Sequence, residues 1–170
     1  MTLNEALERT LKAYERYYTV RREGAAAPFQ AEAEFLQRDT RYFLSKGIRL
    51  SESEARETVF FAAVGALDAA TLSRLDEAAW SAGLSRVAPR WGHRESDVAL
   101  VILTERLEPE AARRIRAANR SRGYAFSLKG WSNYRLIAME LPSGNAAGNR
   151  LGRGMEGMLR NILYSGRNAT

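Results

Sequence analysis

The chain has 170 residues with 45% hydrophobic and 27% charged side chains, no cysteine and a net charge of +6. This composition is typical of a single globular domain covering residues 1–170, and the lack of cysteine excludes disulfides, zinc-thiolate sites and thiol catalysis. The sequence begins without a hydrophobic leader, and its apolar runs fall short of the roughly 20 residues that a membrane-spanning helix requires. We therefore expect a cytoplasmic protein that makes no membrane contact.

The positive charge is concentrated in the last third of the chain. Residues 1–110 carry 15 basic and 18 acidic side chains, whereas residues 111–170 carry 11 basic and 2 acidic ones. The net charges of the two parts are therefore −3 and +9. Such an asymmetry favours an anionic partner, such as nucleic acid, a phosphorylated ligand or an acidic protein face. The alternative is internal compensation, in which acidic side chains of the first part pair with these arginines in the folded protein.

The first 45 residues predict a helix followed by a hairpin. Thr2 and Glu5 have the spacing of a capping box, which predicts a helix over residues 4–18. From residue 29 to 36 apolar and polar side chains alternate, as is typical of a half-buried strand. Residues 41–45 then form the second strand of the hairpin.

Two further helices are predicted in the middle of the chain. Ser51 and Glu54 form another capping box, which predicts a helix over residues 51–66. Asp68 is suited to cap a following helix over residues 69–82.

The second half contains the most apolar strand of the chain. Residues 97–104 are apolar almost throughout, which is typical of a central strand buried on both faces. The remaining elements are predicted at residues 109–122 (helix), 124–128 and 133–141 (strands) and 155–164 (helix), with a frayed tail at 165–170. The order of elements predicts an α/β or α+β fold in which a mixed sheet of about five strands is flanked by helices.

The basic helix and the strands after it suggest a surface for anions. Arginines on a helix face bind phosphates, and neighbouring aromatic rings can stack on bases. A glycine-rich loop at Gly152–Gly157 adds a GxGxxG pattern before the last helix, but no strand precedes it immediately, so the pattern favours a loop with no ligand over a dinucleotide site, with a simple anion nest beside Arg150 and Arg153 as the other possibility. The predicted anion-binding residues are Arg113, Arg116, Arg120, Lys129, Trp131, Arg135, Arg150 and Arg153.

An enzyme is the alternative function. Its pocket would lie between the loop at residues 89–97 and the turn at Gly130–Trp131, with His93, Glu95 or Asp97 as acid–base residues. The sequence contains no G-x-S-x-G nucleophile motif, and we predict neither a metal nor a cofactor. A third hypothesis is a homo-oligomeric interaction module with Trp80 or Trp91 exposed at an interface.

A resemblance to a known family covers most of the chain. The chain resembles an uncharacterised bacterial domain family of about this length, which implies no activity. The residues that carry the resemblance are Phe35-Leu36-x-Arg38, Tyr42-Phe43-Leu44, Pro89 to His93, Gly130-Trp131 and Asn149.

A second resemblance is local. The apolar strand ending at Thr104, followed by Leu107 and the helix that begins Pro109-Glu110-Ala111, is similar to the strand–helix–strand part of restriction-endonuclease-like domains. That resemblance implies a magnesium site built from an aspartate and a Glu-x-Lys pair. Here Glu105-Arg106-Leu107 lacks the lysine, so the resemblance implies a relative that does not cleave nucleic acid.

Overall fold

The computed structural model describes residues 1–42, 49–87, 93–123 and 131–165, with only the backbone described at 36–42, 49–55 and 93–95. These residues form four α-helices, seven strands and one 3-10 helix. In chain order the elements are α1 (Leu3–Tyr14), β1 (Thr19–Arg21), β2 (Ala31–Tyr42), β3 (Arg49–Leu67), α2 (Ala69–Ser85), β4 (His93–Leu107), α3 (Pro109–Ala117), β5 (Ser121–Gly123), β6 (Trp131–Glu140), β7 (Ala146–Gly148), the 3-10 helix (Gly152–Met155) and α4 (Glu156–Tyr164).

The seven strands form one mixed sheet in the order β1-β2-β3-β4-β6-β5, and β7 also pairs with β6. The three central strands, β3, β4 and β6, are parallel, and the other pairings are antiparallel. The predicted α+β class and the mixed sheet are confirmed, although the described sheet has seven strands rather than five. Helices α2 and α3 connect the parallel strands, as parallel pairing requires.

Each face of the sheet carries its own hydrophobic core. Helices α1 and α4 cover one face, where Leu11 and Leu159 pack with Phe61 and Val101. Helices α2 and α3 cover the other face. Residues 98–103 of β4 are at most 1% exposed, which confirms the prediction of a central strand buried on both sides. Burial of each large apolar side chain stabilises the fold by about 1.5–3 kcal/mol relative to exposure.

Helix ends in the first half follow the predicted capping chemistry. Thr2 and Glu5 form the predicted capping box at the start of α1. The Asp68 carboxylate accepts a hydrogen bond from the Thr71 backbone N–H at 2.7 Å and starts α2. Helix α3 ends at Ala117, before the predicted residue 122, because β5 begins at Ser121.

The helix predicted over residues 51–66 is wrong, because this segment is strand β3. A central strand buried on both faces is apolar at consecutive positions, so its sequence has no unique period and can match a helical one. The predicted hairpin also differs, since β2 is one continuous strand that pairs with β1 and β3. The predicted strand at 124–128 and tail residues 166–170 lie outside the described residues.

No helix in the described part of the chain is long and apolar enough to cross a membrane.

Candidate functional site

Five polar residues form a network halfway along β3 and near the N-terminal ends of β4 and β6. Arg135 Nη2 donates to Asp97 Oδ2 at 2.6 Å, and its Nη1 lies 3.5 Å from Glu57 Oε1. Asn133 Nδ2 donates to Asp97 Oδ1 at 3.2 Å, and the Tyr18 hydroxyl donates to Glu57 Oε2. The register explains this convergence, because Glu57 and Asp97 are direct partners on β3 and β4. We call these residues the Arg135 network.

The two carboxylates of the Arg135 network are fully partnered. Both oxygens of Asp97 and both oxygens of Glu57 have a partner inside the network. The two carboxylate side chains are only 7% and 15% exposed, so their charges depend on these partners. Burial, together with the hydrogen bond to Glu57, raises the pKa of Tyr18 well above its ordinary value, which keeps this donor protonated. The arrangement is that of a structural ion-pair network.

Of the three predicted acid–base residues, the structure describes the side chain of one, Asp97. His93, Glu95 and Asp97 occupy alternate positions of β4, but the side chains of the first two lie outside the described part. Asp97 is held by Arg135 and Asn133. Among the described residues no group of three or more histidine, aspartate or glutamate side chains could hold a metal ion. The enzyme alternative stays a prediction.

Three arginines from the predicted anion-binding set have carboxylate partners. Arg135 belongs to the network above, and Arg120 Nη2 lies 2.7 Å from Asp76 and 3.0 Å from Glu77. Arg113 donates to Glu110 on the same helix. Internal compensation, the alternative raised by the charge pattern, thus accounts for part of the positive charge.

The pKa of Glu110 reflects this local pairing. Arg114 Nε donates to its second oxygen at 2.9 Å. Hydrogen bonds from Arg113 and then Arg114 lower the pKa of Glu110 to about 2. The carboxylate therefore stays ionised across the physiological range.

Arg116, Arg150 and Arg153 differ, since they are exposed and form no ion pair with any carboxylate of the described residues. Arg116 lies on α3, which packs against β7. Arg150 and Arg153 follow β7, and the 3-10 helix that contains Arg153 also packs against this strand. We call the surface of Arg116, Arg150 and Arg153 the β7 edge.

The turn that carries the β7 edge is fixed by Asn149, which is 2% exposed. Its Oδ1 accepts from the backbone N–H groups of Leu136 at 3.1 Å and Gly152 at 2.7 Å. Its Nδ2 donates to the Tyr134 carbonyl at 2.9 Å. These bonds tie the segment after β7 to the backbone of β6. Asn149 is among the residues that carry the family resemblance, and this is a structural reason for an asparagine there.

Two glycines of the GxGxxG pattern have different surroundings. A Cβ on Gly152 would lie 2.7 Å from the Leu136 carbonyl carbon, so only glycine fits this close approach of two backbones. A Cβ on Gly154 would meet no atom within 4 Å. The close packing of Gly152 therefore explains one glycine of the pattern without any ligand.

The remaining predicted anion-binding residues do not lie at the β7 edge. Trp131 is 40% exposed and is the first residue of β6, whereas β7 pairs with β6 at Ile137 and beyond. At a rise of about 3.3 Å per residue, the two positions are about 20 Å apart. Lys129 lies outside the described residues. The predicted anion-binding surface as a whole therefore stays a prediction.

Sequence reasoning missed Tyr18 and Glu57 as members of the Arg135 network. Glu57 was predicted to lie on a helix, where it could not face Asp97. The usable signal is the strand register, because side chains at paired positions of neighbouring strands lie on the same face.

The oligomer hypothesis proposed that Trp80 or Trp91 is exposed at an interface. Trp80 is half-buried, and its ring packs edge-on against Tyr134 with 5.5 Å between the ring centroids. Trp91 lies outside the described residues.

Of the comparisons with known proteins, the one with family models gives a match. No curated protein and no solved structure shows significant similarity to the chain. The similarity to restriction-endonuclease-like domains and the bacterial origin therefore stay predictions. A family model matches residues 2–161 and is described as a domain of unknown function, DUF8052. The resemblance to an uncharacterised family is confirmed, and the chain belongs to the DUF8052 family.

Proposed function

We propose that the protein binds the phosphate backbone of nucleic acid through the β7 edge. The observation that carries this proposal is the contrast in pairing among the arginines of the basic segment. Arg116, Arg150 and Arg153 are exposed without a carboxylate partner in the described residues, whereas Arg113, Arg120 and Arg135 each have at least one.

Electrostatics supports this assignment of roles. An arginine that already pairs with a buried carboxylate must lose that partner before it can bind a phosphate. An exposed and unpaired guanidinium has no such cost, and its planar donors match phosphate oxygens in a bidentate arrangement. Release of condensed counterions from the nucleic acid then drives the association.

The mode of binding follows from the same surface. The β7 edge consists of three arginines, and the guanidinium group matches phosphate oxygens rather than stacking as an aromatic ring does on a base. Binding at the β7 edge therefore consists of phosphate contacts, which carry no base information. We expect little dependence on base sequence and a strong dependence on salt.

The test is a fluorescence anisotropy titration of labelled single-stranded DNA, duplex DNA and RNA at several salt concentrations. The variant Arg116→Ala/Arg150→Ala/Arg153→Ala removes the β7 edge. Because this variant can no longer neutralise three phosphates, the slope of log K against log salt for duplex DNA should fall in magnitude by about 3. The control variant Arg113→Ala/Arg114→Ala/Arg160→Ala removes three arginines that have glutamate partners on their own helices.

Equal losses in the two variants would contradict the proposal, because net charge alone would then explain the binding. Absence of binding to all three nucleic acids at low salt would remove nucleic acid from consideration. Binding of inorganic pyrophosphate without binding of nucleic acid would instead indicate a phosphorylated ligand.

A further inference from the structure

A groove of about 710 Å³ lies between α1 and the C-terminal end of α4. Its α1 side is formed by Arg9, Lys12 and Arg16. Arg9 and Lys12 lie three residues apart on one face of α1, and Arg16 lies in the turn that follows Tyr14. Ala13 and Ile162 supply apolar surface inside the groove. The groove thus combines a row of cations with an apolar floor.

The position of the groove is fixed by the core. The opposite side of α1 carries Leu7, Leu11 and Tyr14, which are buried against the sheet. Arg9 Nη1 donates to the Leu163 carbonyl at 3.4 Å and so links the two helices across the groove. The row of cations therefore cannot turn toward the protein interior.

Arg9 interacts electrostatically with Glu5, one turn earlier on α1, but the cations of the groove lack close ion pairs in the described part of the chain. Arg9, Lys12 and Arg16 form no ion pair with a carboxylate in this part of the chain. Among the described residues, Glu15 is the only acidic one in the lining. The lining carries a net positive charge.

We infer that this groove is a docking site for an acidic, amphipathic peptide segment of a partner protein. The glutamate or aspartate side chains of such a peptide would pair with the row of cations, and its apolar side chains would cover Ala13 and Ile162. A nucleic acid backbone offers no apolar group for this floor, so the groove differs from the β7 edge in the partner it fits. The groove lies at the C-terminal end of α4, whereas Arg150 and Arg153 precede the N-terminal end of α4 and Arg116 lies on α3, which covers the opposite face of the sheet.

The test uses a fluorescein-labelled helical peptide with leucine on one face and glutamate on the other. Two control peptides replace every glutamate with lysine or every leucine with serine. The groove variant is Arg9→Ala/Lys12→Ala/Arg16→Ala, and the β7-edge variant, with the same loss of charge, is the matched control. Circular dichroism verifies that α1 remains folded, which is expected because the three side chains are exposed.

The inference predicts that the glutamate–leucine peptide binds at least tenfold more weakly to the groove variant and equally well to the β7-edge variant. Both control peptides should bind at least tenfold more weakly to the unmodified protein. Unchanged affinity in the groove variant would overturn the inference, and so would full affinity of the serine peptide. Loss of nucleic-acid binding in the groove variant would also overturn it, since the groove would then belong to the nucleic-acid surface. Failure of nucleic acid to bind the β7 edge leaves this experiment unaffected.

Discussion

Arg135 and Arg153 belong to the same basic third of the chain, and their surroundings are opposite. Arg135 lies between two nearly buried carboxylates on neighbouring strands, with its side chain 39% exposed. Arg153 projects from a 3-10 helix at the sheet edge and has no carboxylate partner among the described residues. The first arginine stabilises the fold, whereas the second is available to a partner.

This comparison shows what a net charge does and does not reveal. The +9 of residues 111–170 is a property of composition. Its meaning for binding depends on which arginines are paired across the sheet or along a helix. Pairing is set by strand register and helix phase, so two arginines only 18 positions apart acquire different roles.

The largest expected effect concerns the rigidity of the β7 edge. Gly152→Ala would force a Cβ against the Leu136 carbonyl group, so we expect the free energy of unfolding to fall by about 3 kcal/mol. Gly154→Ala is the matched control, because its Cβ meets no atom within 4 Å. Urea denaturation of both variants measures the difference. Equal stabilities would mean that the edge is not held against β6.

The second effect concerns the Arg135 network. Asp97→Ala removes the closer partner of Arg135 and should lower the free energy of unfolding by about 2–3 kcal/mol, below the loss for a fully buried pair because Arg135 is partly exposed. Arg153→Ala should change it by at most about 0.5 kcal/mol. Thermal and urea unfolding measure both variants. The comparison between the two arginines breaks down if Arg153→Ala is as destabilising as Asp97→Ala.

A smaller effect is expected at Tyr18. Tyr18→Phe removes the hydroxyl that donates to Glu57 and leaves a mostly buried carboxylate oxygen without this donor, so we expect a loss of about 1 kcal/mol. Tyr17→Phe is the control, since Tyr17 is 75% exposed. Urea denaturation should show no change for Tyr17→Phe. A neutral Tyr18→Phe would exclude this tyrosine from the network.

The smallest effect is a pH dependence on α3. The pKa of Glu110 is lowered from 4.5 to about 2 by Arg113 and Arg114, so its pairing stabilises the folded state above pH 4.5 and is lost as the pH falls toward 2. Carboxyl-detected NMR titration should show a midpoint near 2 that rises toward 4.5 in Arg113→Ala/Arg114→Ala. A midpoint near 4.5 in the unmodified protein would show that these arginines are not engaged in solution.

Much of the fold could be predicted because local chemistry determines it. The Thr2–Glu5 capping box and the apolar run in β4 each have one structural interpretation. The segment at β3 could not be assigned in this way, because a strand buried on both faces has apolar residues at helical intervals by coincidence. Its 19 residues also include Ser51 and Glu54, whose spacing imitates a capping box.

The candidate site was predictable only in part. Exposure of Arg150 and Arg153 agrees with their position in a glycine-rich segment after the last long strand. The pairing of Arg135 with Asp97 could not be predicted, because it depends on the register between β4 and β6. The pairing of Arg120 with Asp76 likewise depends on how α2 lies relative to the chain after α3.

The most direct test of the central claim is NMR observation of arginine Nε–Hε signals during titration with a short single-stranded DNA. The proposal predicts that the signals of Arg116, Arg150 and Arg153 shift with increasing DNA, while those of Arg120 and Arg135 keep their positions. Shifts at Arg120 or Arg135 without shifts at the β7 edge would contradict the proposal, as would a spectrum that does not respond to DNA at low salt.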